Sequence, residues 1–157
     1  MTYVKPKTAR MCTFITAATL ACPLLAGCVA TYEGSFTRTG GPTQAPEAAP
    51  IACASGDGRG FFGVDVTVGT ADQSRASLIR IVDDPMNGKV VRMYEQGEHT
   101  AYVDYRPSSC RVFDLTIKRH GMLKNGVRAM GGHVALDCDG PDGTRVVGHG
   151  DFDWCGN

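Results

Sequence analysis

The sequence lacks an excess of basic residues. It holds 16 Lys and Arg against 16 Asp and Glu in 157 residues, so its formal net charge is zero. Three of the basic residues, Lys5, Lys7 and Arg10, lie in the first 27 positions, which hold no acidic residue. The rest of the chain therefore carries 13 basic and 16 acidic residues. Nucleic-acid binding calls for a clustered basic face, so we expect no nucleic-acid partner.

Recognisable catalytic motifs are also missing. The chain has no Gly-x-Ser-x-Gly sequence, the elbow that carries the nucleophile of many hydrolases. Three of its four histidines, His99, His120 and His133, fall in or beside expected turns and strand starts, without a Ser or Cys partner in a nucleophile motif. We therefore expect a protein that is not an enzyme and that holds no cofactor.

The apolar run from Met11 to Leu25 is too short for a typical membrane span. A transmembrane helix needs roughly 20 apolar residues, and Pro23 is a poor residue for a helix interior. The basic residues ahead of the run and the small Ala26 and Gly27 after it follow the order of a secretory leader. We predict that residues 1–27 are a signal peptide.

This leader closes on Leu25-Ala26-Gly27-Cys28. The four residues resemble, position by position, the lipobox of bacterial lipoproteins, in which a signal peptidase cuts before a cysteine that becomes lipid-modified. The resemblance covers only residues 1–28. It implies that Cys28 carries acyl chains such as palmitate, and two or more chains make membrane anchoring stable. Since Val29 stands where an Asp retains many lipoproteins at the inner membrane, it also implies the outer membrane, facing the periplasm or the surface.

Four cysteines remain beyond the leader and the anchor: Cys53, Cys110, Cys138 and Cys155. An even number in an exported domain predicts disulfide bonds, whereas the missing Cys-x-x-Cys spacing disfavours a metal site. We favour Cys110–Cys138, because the strands flanking the Asn125-Gly126 turn bring these positions opposite each other. Cys53 then pairs with Cys155. The alternative is Cys53–Cys110 with Cys138–Cys155.

Residues 28–52 have the composition of a lipid-anchored flexible linker. The segment Thr39 to Pro50 is rich in Pro, Gly and Ala and lacks an apolar period, which is typical of spacers that bury no core. We place the folded domain at residues 53–157.

The expected domain consists of strands. Apolar residues alternate with polar ones in Val64 to Val68 and again in Phe113 to Lys118, and the run Leu78 to Val82 is followed by a turn with Pro and Asn-Gly. About seven or eight short strands with regular turns predict an all-β fold, a small antiparallel sandwich or barrel stapled by disulfides.

Two acidic segments are weak candidates for a metal site. His149, Asp151 and Asp153 lie on one face of a strand, but neighbours on that face are about 6.6 Å apart, so one ion could not take all three. Asp137, Asp139 and Asp142 resemble an acidic calcium loop only in part, because Pro141 breaks the ligand spacing. We expect a solvated face and a β-turn, with Phe152 and Trp154 buried on the other side of the first segment, and no metal.

The most specific function that these features predict is a non-enzymatic binding or structural module of the cell envelope. Its partner would be an envelope protein or the cell wall, besides the membrane itself. The alternatives are an inhibitor or defence lipoprotein, and a metal-binding or hydrolytic envelope protein. Aromatic residues are the candidates for a binding face or, as is more usual in strands, for the core: Tyr94, Tyr102, Tyr105 and Trp154.

Overall fold

The computed structural model describes residues 29–40, 48–69, 76–94 and 100–156, and only the backbone of Asp142. Cys28 and the whole leader, His99, and residues 41–47 of the expected linker lie outside the described residues. Nine strands form within these ranges: β1 (Thr31–Thr39), β2 (Ala49–Ser55), β3 (Gly63–Gly69), β4 (Ala76–Asp84), β5 (Gly88–Tyr94), β6 (Tyr102–Tyr105), β7 (Cys110–Lys124), β8 (Val127–Asp139) and β9 (Arg145–Cys155). Short 3₁₀ helices cover Asp57–Arg59, Pro107–Ser109 and Pro141–Gly143.

The strands form two sheets. One sheet has four strands in the order β1-β9-β8-β7, and the other has five in the order β2-β3-β4-β5-β6. All neighbouring strands in both sheets are antiparallel. The all-β prediction is confirmed, and of its two forms the sandwich is the one that occurs.

The core lies between the two sheets, where the inward side chains of each meet. The five-stranded sheet contributes Val64, Val66 and Val68 from β3, together with Ile79 and Ile81 from β4. Side chains of the four-stranded sheet cover them: Phe36, Leu115, Ile117, Met130, Val134, Leu136, Val146 and Phe152. Alternation along each strand produces this arrangement, because successive side chains point to opposite faces of a sheet.

The linker expected over residues 28–52 is wrong where the structure describes the chain. Thr31–Thr39 forms β1, which pairs with β9 over its whole length. Phe36 is buried, and its backbone N–H and C=O exchange hydrogen bonds of 2.9 and 3.0 Å with Ala48. The sequence signal was weak because Phe36 is the only buried residue of this strand. The folded domain therefore begins about twenty residues earlier than the sequence predicts.

Both disulfides of the favoured pairing are present. Cys110 and Cys138 are direct partners across β7 and β8, as the turn at Asn125-Gly126 predicts. Cys53 on β2 is joined to Cys155 on β9, so this bond links the two sheets.

Replacing Phe36 tests whether β1 belongs to the domain. Its ring lies against Gly148 of β9, where any side chain would overlap it. We expect Phe36→Ala to lower the free energy of unfolding by about 3 kcal/mol, as removal of a buried aromatic ring does. Urea unfolding followed by circular dichroism measures this, with the neighbouring Thr37→Ala as control. Equal midpoints for the two variants would mean that β1 contributes little to the fold.

Removing each disulfide should destabilise the domain to a different extent. The Cys53–Cys155 bond closes a loop of 102 residues and the Cys110–Cys138 bond one of 28. The entropy of the unfolded chain then predicts losses of about 4.7 and about 3.6 kcal/mol for the respective double Cys→Ala variants. Thermal unfolding of both variants gives the order. A larger loss for Cys110→Ala/Cys138→Ala would contradict the loop argument.

Candidate functional site

The outer face of the five-stranded sheet carries a row of four charged residues. The strand register places Asp65 of β3 opposite Arg80 of β4, Arg80 opposite Arg92 of β5, and Arg92 opposite Asp104 of β6. Two like charges directly opposite each other destabilise a sheet. Here an aspartate stands on each outer side of the arginine pair, so each guanidinium has its own carboxylate.

Asp65 is the buried end of this row, with 2% of its side chain exposed. Arg80 donates two hydrogen bonds to it, Nε to Oδ1 at 2.8 Å and Nη2 to Oδ2 at 3.0 Å. Arg59 of the first 3₁₀ helix also bonds to Oδ2. The glycine-rich segment 56–60 therefore brings a second cation to the buried carboxylate.

Arg92 and Asp104 form a similar fork at the other end of the row. Nε of Arg92 donates to Oδ1 of Asp104 at 2.7 Å, and Nη2 donates to Oδ2 at 3.0 Å. The hydrogen bond that Arg92 donates to Asp104 raises the pKa of Arg92, and the one that Arg80 donates to Asp65 raises the pKa of Arg80. Both guanidinium groups therefore stay charged and fixed in orientation.

Aromatic rings make cation–π contacts with these two arginines. The Cζ atom of Arg80 lies 4.6 Å from the ring centre of Phe61 and 5.7 Å from that of Tyr94. Cζ of Arg92 lies 3.9 Å from the ring centre of Tyr102. Cation–π contacts at exposed positions contribute about 0.5–1 kcal/mol each. We call the surface formed by Phe61, Arg80, Arg92, Tyr94, Tyr102 and Asp104 the arginine–aromatic face.

The arginine–aromatic face offers a partner preorganised π surfaces and guanidinium edges. Tyr94 and Tyr102 are cross-strand partners with ring centres 5.7 Å apart, and Tyr102 is the more open, with 47% of the residue exposed. Side chains of Tyr and Arg are enriched in the central, energetically dominant parts of protein interfaces. Because the ion pairs already hold the arginines, less side-chain entropy is lost when a partner binds.

The sequence pointed to only part of this face. Tyr94 and Tyr102 were candidates for a binding surface, whereas Asp65, Arg80 and Arg92 were not. Each of these three interrupts a run of apolar residues at a position that the two-residue period places on the outer face. Tyr105, the third candidate, is buried in the core instead, where desolvation raises the pKa of its hydroxyl.

A second polar cluster lies on the four-stranded sheet. His120 of β7 bonds through Nε2 to Oδ1 of Asp153, and its ring stacks on Trp154 with the centres 4.2 Å apart. The two side chains meet above Gly131, where a Cβ atom would collide with the Asp153 carboxylate. These partners of His120 are an acid and an indole, and neither is the hydroxyl or thiol that a Ser- or Cys-type hydrolase needs.

Trp154 was expected in the core, and this expectation is wrong. The register between β8 and β9 shifts between Met130 and Gly132, so β9 has one extra residue there. Trp154 occupies that bulge with φ +54°, an unusual value for a bulky residue. The bulge turns its side chain to His120, whereas Phe152 is buried as expected.

The first set of weak metal candidates is spread over the outer face of the four-stranded sheet. Asp153 is engaged by His120, and Asp151 by Nδ1 of His133 at 3.1 Å. His149 is exposed and lies opposite Ser35 of β1 and Ala135 of β8. The structure therefore does not bring His149, Asp151 and Asp153 together around one point.

The second set of weak metal candidates lies where β8 ends. Asp137 accepts hydrogen bonds from Nε and Nη2 of Arg145 at 2.8 and 2.7 Å, and Arg111 contacts both Asp137 and Asp139. Pro141–Gly143 forms a 3₁₀ turn, in line with the β-turn expected there. In the described part of the chain, no three His, Cys, Asp or Glu side chains are arranged to hold a metal ion.

No protein-family model, curated protein or solved structure matches this chain. Within the described ranges, no helix has the length and apolar character needed to cross a membrane.

Breaking the buried end of the charged row should cost stability. Arg80→Ala leaves the Asp65 carboxylate buried with Arg59 as its remaining cation, and we expect a loss of about 3 kcal/mol. The double variant Arg80→Ala/Asp65→Ala removes the buried charge as well and should recover part of that loss. Urea unfolding of the two single variants and the double variant measures the coupling. Strictly additive losses would contradict the pairing.

The Asp137–Arg145 pair should make stability sensitive to acid. The hydrogen bond from Arg145 lowers the pKa of Asp137. Its contribution is therefore complete above the ordinary aspartate pKa of about 3.9 and is lost as the pH falls through the lower value of the folded state. We expect Asp137→Asn to melt below the wild type at pH 7 and to approach it below about pH 3. A melting-temperature difference that does not change with pH would contradict this assignment.

Proposed function

We propose that this protein is an exported lipoprotein whose β-sandwich acts by binding another component of the cell envelope rather than by catalysis. Acylated Cys28 is the anchor, residues 1–27 are the leader, and the outer membrane is the site, since Val29 follows the anchor. The two disulfides support export, because such bonds persist in oxidising compartments and are rare in the cytosol.

The arginine–aromatic face carries the binding part of the proposal. Five of its six side chains are Arg, Tyr or Phe, and the arginines are held in place by carboxylates before any partner arrives. Polar side chains of any kind suffice on the solvent side of an antiparallel sheet. Folding alone therefore does not require the tyrosines or the central pair of arginines on this face. Tyr102 lies on the edge strand β6 and Arg92 on its neighbour β5, so these two are the best residues to test.

Cross-linking in intact cells tests the face directly. The full-length protein is cross-linked, the envelopes are solubilised, and the captured proteins and glycan fragments are identified by mass spectrometry. We expect Arg92→Ala/Tyr102→Ala to reduce the main captured component at least about tenfold, as loss of an interface hot spot does. Cys28→Ser, which cannot be acylated, should also lose it.

Arg145→Ala is the matched control, because Arg145 makes a forked ion pair with Asp137 on the other sheet. The control should capture the partner normally. Equal capture by wild type and Arg92→Ala/Tyr102→Ala would contradict the assignment of the face. Unmodified Cys28 in the mature protein, seen in the intact mass, would contradict the anchor.

A further inference from the structure

The hairpin that joins β7 and β8 projects from one end of the sandwich. β8 pairs with β9 from Met130 onward, whereas its ladder with β7 continues to Leu123–Arg128 and Lys124–Val127. We call residues 119–128 the β7–β8 tip. One side of this tip is held by the domain, since Ser55 donates a hydrogen bond to the carbonyl oxygen of Arg128 and Gly156 lies against the Lys124 side chain.

The β7–β8 tip combines exposed apolar side chains with positive charge. Met122 is 55% exposed and Leu123 is 64% exposed, at adjacent positions. The ten residues include Arg119, Lys124 and Arg128 and no Asp or Glu, although the chain after the leader has more acidic than basic residues. Arg119 is engaged by Asp57 at 3.4 Å at the base of the tip. Arg128 lies opposite Leu123 in the ladder between the two strands, and Lys124 follows Leu123 in the sequence.

The tip points the same way as the start of the domain. In the order β1-β9-β8-β7 with antiparallel neighbours, β1 and β8 run in the same direction and begin at the same end of the sheet. Thr31 of β1 is level with Asp153, which lies beside Gly131 of β8. The residues before Thr31 and those before Gly131 therefore leave the sheet at one end.

The reach of the two segments brings the tip to the membrane if Cys28 is the anchor. Cys28 is three residues before Thr31 and can lie at most about 10 Å from it. Asn125, at the turn, is six residues before Gly131, so the tip extends about 20 Å beyond the same level. A sandwich held by acyl chains on Cys28 can therefore bring the tip to the bilayer surface.

We propose that the β7–β8 tip is a second membrane contact, which inserts Met122 and Leu123 at the interface and places Lys124 and Arg128 on anionic phospholipid headgroups. This inference rests on the anchor proposed above. Apolar side chains flanked by basic ones bind at the interface through buried area and attraction to anionic lipid. Each basic residue near an anionic surface strengthens the attachment by about 1 kcal/mol, or roughly fivefold.

A tryptophan placed in the tip reports its position. The full-length lipoprotein carrying Leu123→Trp is reconstituted into vesicles of phosphatidylglycerol and phosphatidylcholine with brominated acyl chains, which quench nearby indoles. Val112→Trp is the control, because Val112 is also exposed but lies near the opposite end of β7, about 30 Å away. Wild-type protein gives the background from Trp154, the only tryptophan of the chain.

We expect quenching of the additional emission in Leu123→Trp and none in Val112→Trp. Equal, weak quenching of both would overturn the proposal and would leave the tip as a surface for a protein partner. The intact mass is measured on the same samples. An acylated protein with an unquenched tip refutes the second contact alone, whereas a protein without acyl chains refutes the anchor.

The charges are tested on residues 28–157 carrying Cys28→Ser, so that neither acyl groups nor the apolar leader attach the chain to the vesicles. Its binding to phosphatidylglycerol vesicles is measured by flotation, with and without Lys124→Gln/Arg128→Gln. We expect the double substitution to weaken binding about 25-fold, from two basic residues at roughly fivefold each. Failure of the Cys28→Ser chain to bind these vesicles, or equal binding by both chains, would overturn the role assigned to Lys124 and Arg128.

Discussion

The Cys53–Cys155 bond is the constraint on which the arrangement of the two sheets depends. It joins β2, an edge strand of the five-stranded sheet, to Cys155, the last residue of β9 in the four-stranded sheet. Around it, Ser55 is fully buried and bonds to the Arg128 carbonyl, and its own N–H donates to Gly156. The Cys53–Cys155 disulfide therefore fixes one end of the sandwich. This end holds the bulge of β9, the contact between His120 and Asp153, and the base of the β7–β8 hairpin.

The two outer faces of the sandwich are built on different principles. On the five-stranded sheet, the two arginines pair with aspartates and lie against aromatic rings. The carboxylate of Asp65, which is almost completely buried, fixes one end of this arrangement. On the four-stranded sheet, Arg111 and Arg145 are about half exposed, and ion pairs with an exposed member contribute less to stability than a buried charge costs when it loses its partner. The buried charge of Asp65, at one end of the row of charged residues, costs free energy because it is removed from water. This cost is the reason to look for function on the five-stranded side.

Much of the fold could be predicted from the sequence because its signals are local. Alternation in Val64 to Val68 gave the strand class, and the Asn125-Gly126 turn predicted the β7–β8 hairpin, in which two register shifts bring Cys110 opposite Cys138. The position of β1 could not be predicted, because a strand with one buried side chain shows no period and depends on a partner over a hundred residues away. The outward turn of Trp154 also escaped prediction, since a single extra residue in β9 reverses the side of the sheet that alternation assigns. The arginine–aromatic face required the pairing of four strands, which brings Asp65 and Asp104 to the same row.

The early start of β1 changes the mechanics of an anchored domain. A tether of about 25 residues, as the composition of 28–52 suggested, would let the sandwich search for partners well away from the bilayer. With β1 beginning at Thr31, only Val29 and Ala30 separate it from Cys28. If Cys28 carries the acyl chains, the domain is held against the headgroups, and its orientation is restricted further by any contact through the β7–β8 tip. The partner of the arginine–aromatic face must then itself come close to the membrane, which favours a membrane-proximal envelope protein over cell-wall material farther from the bilayer.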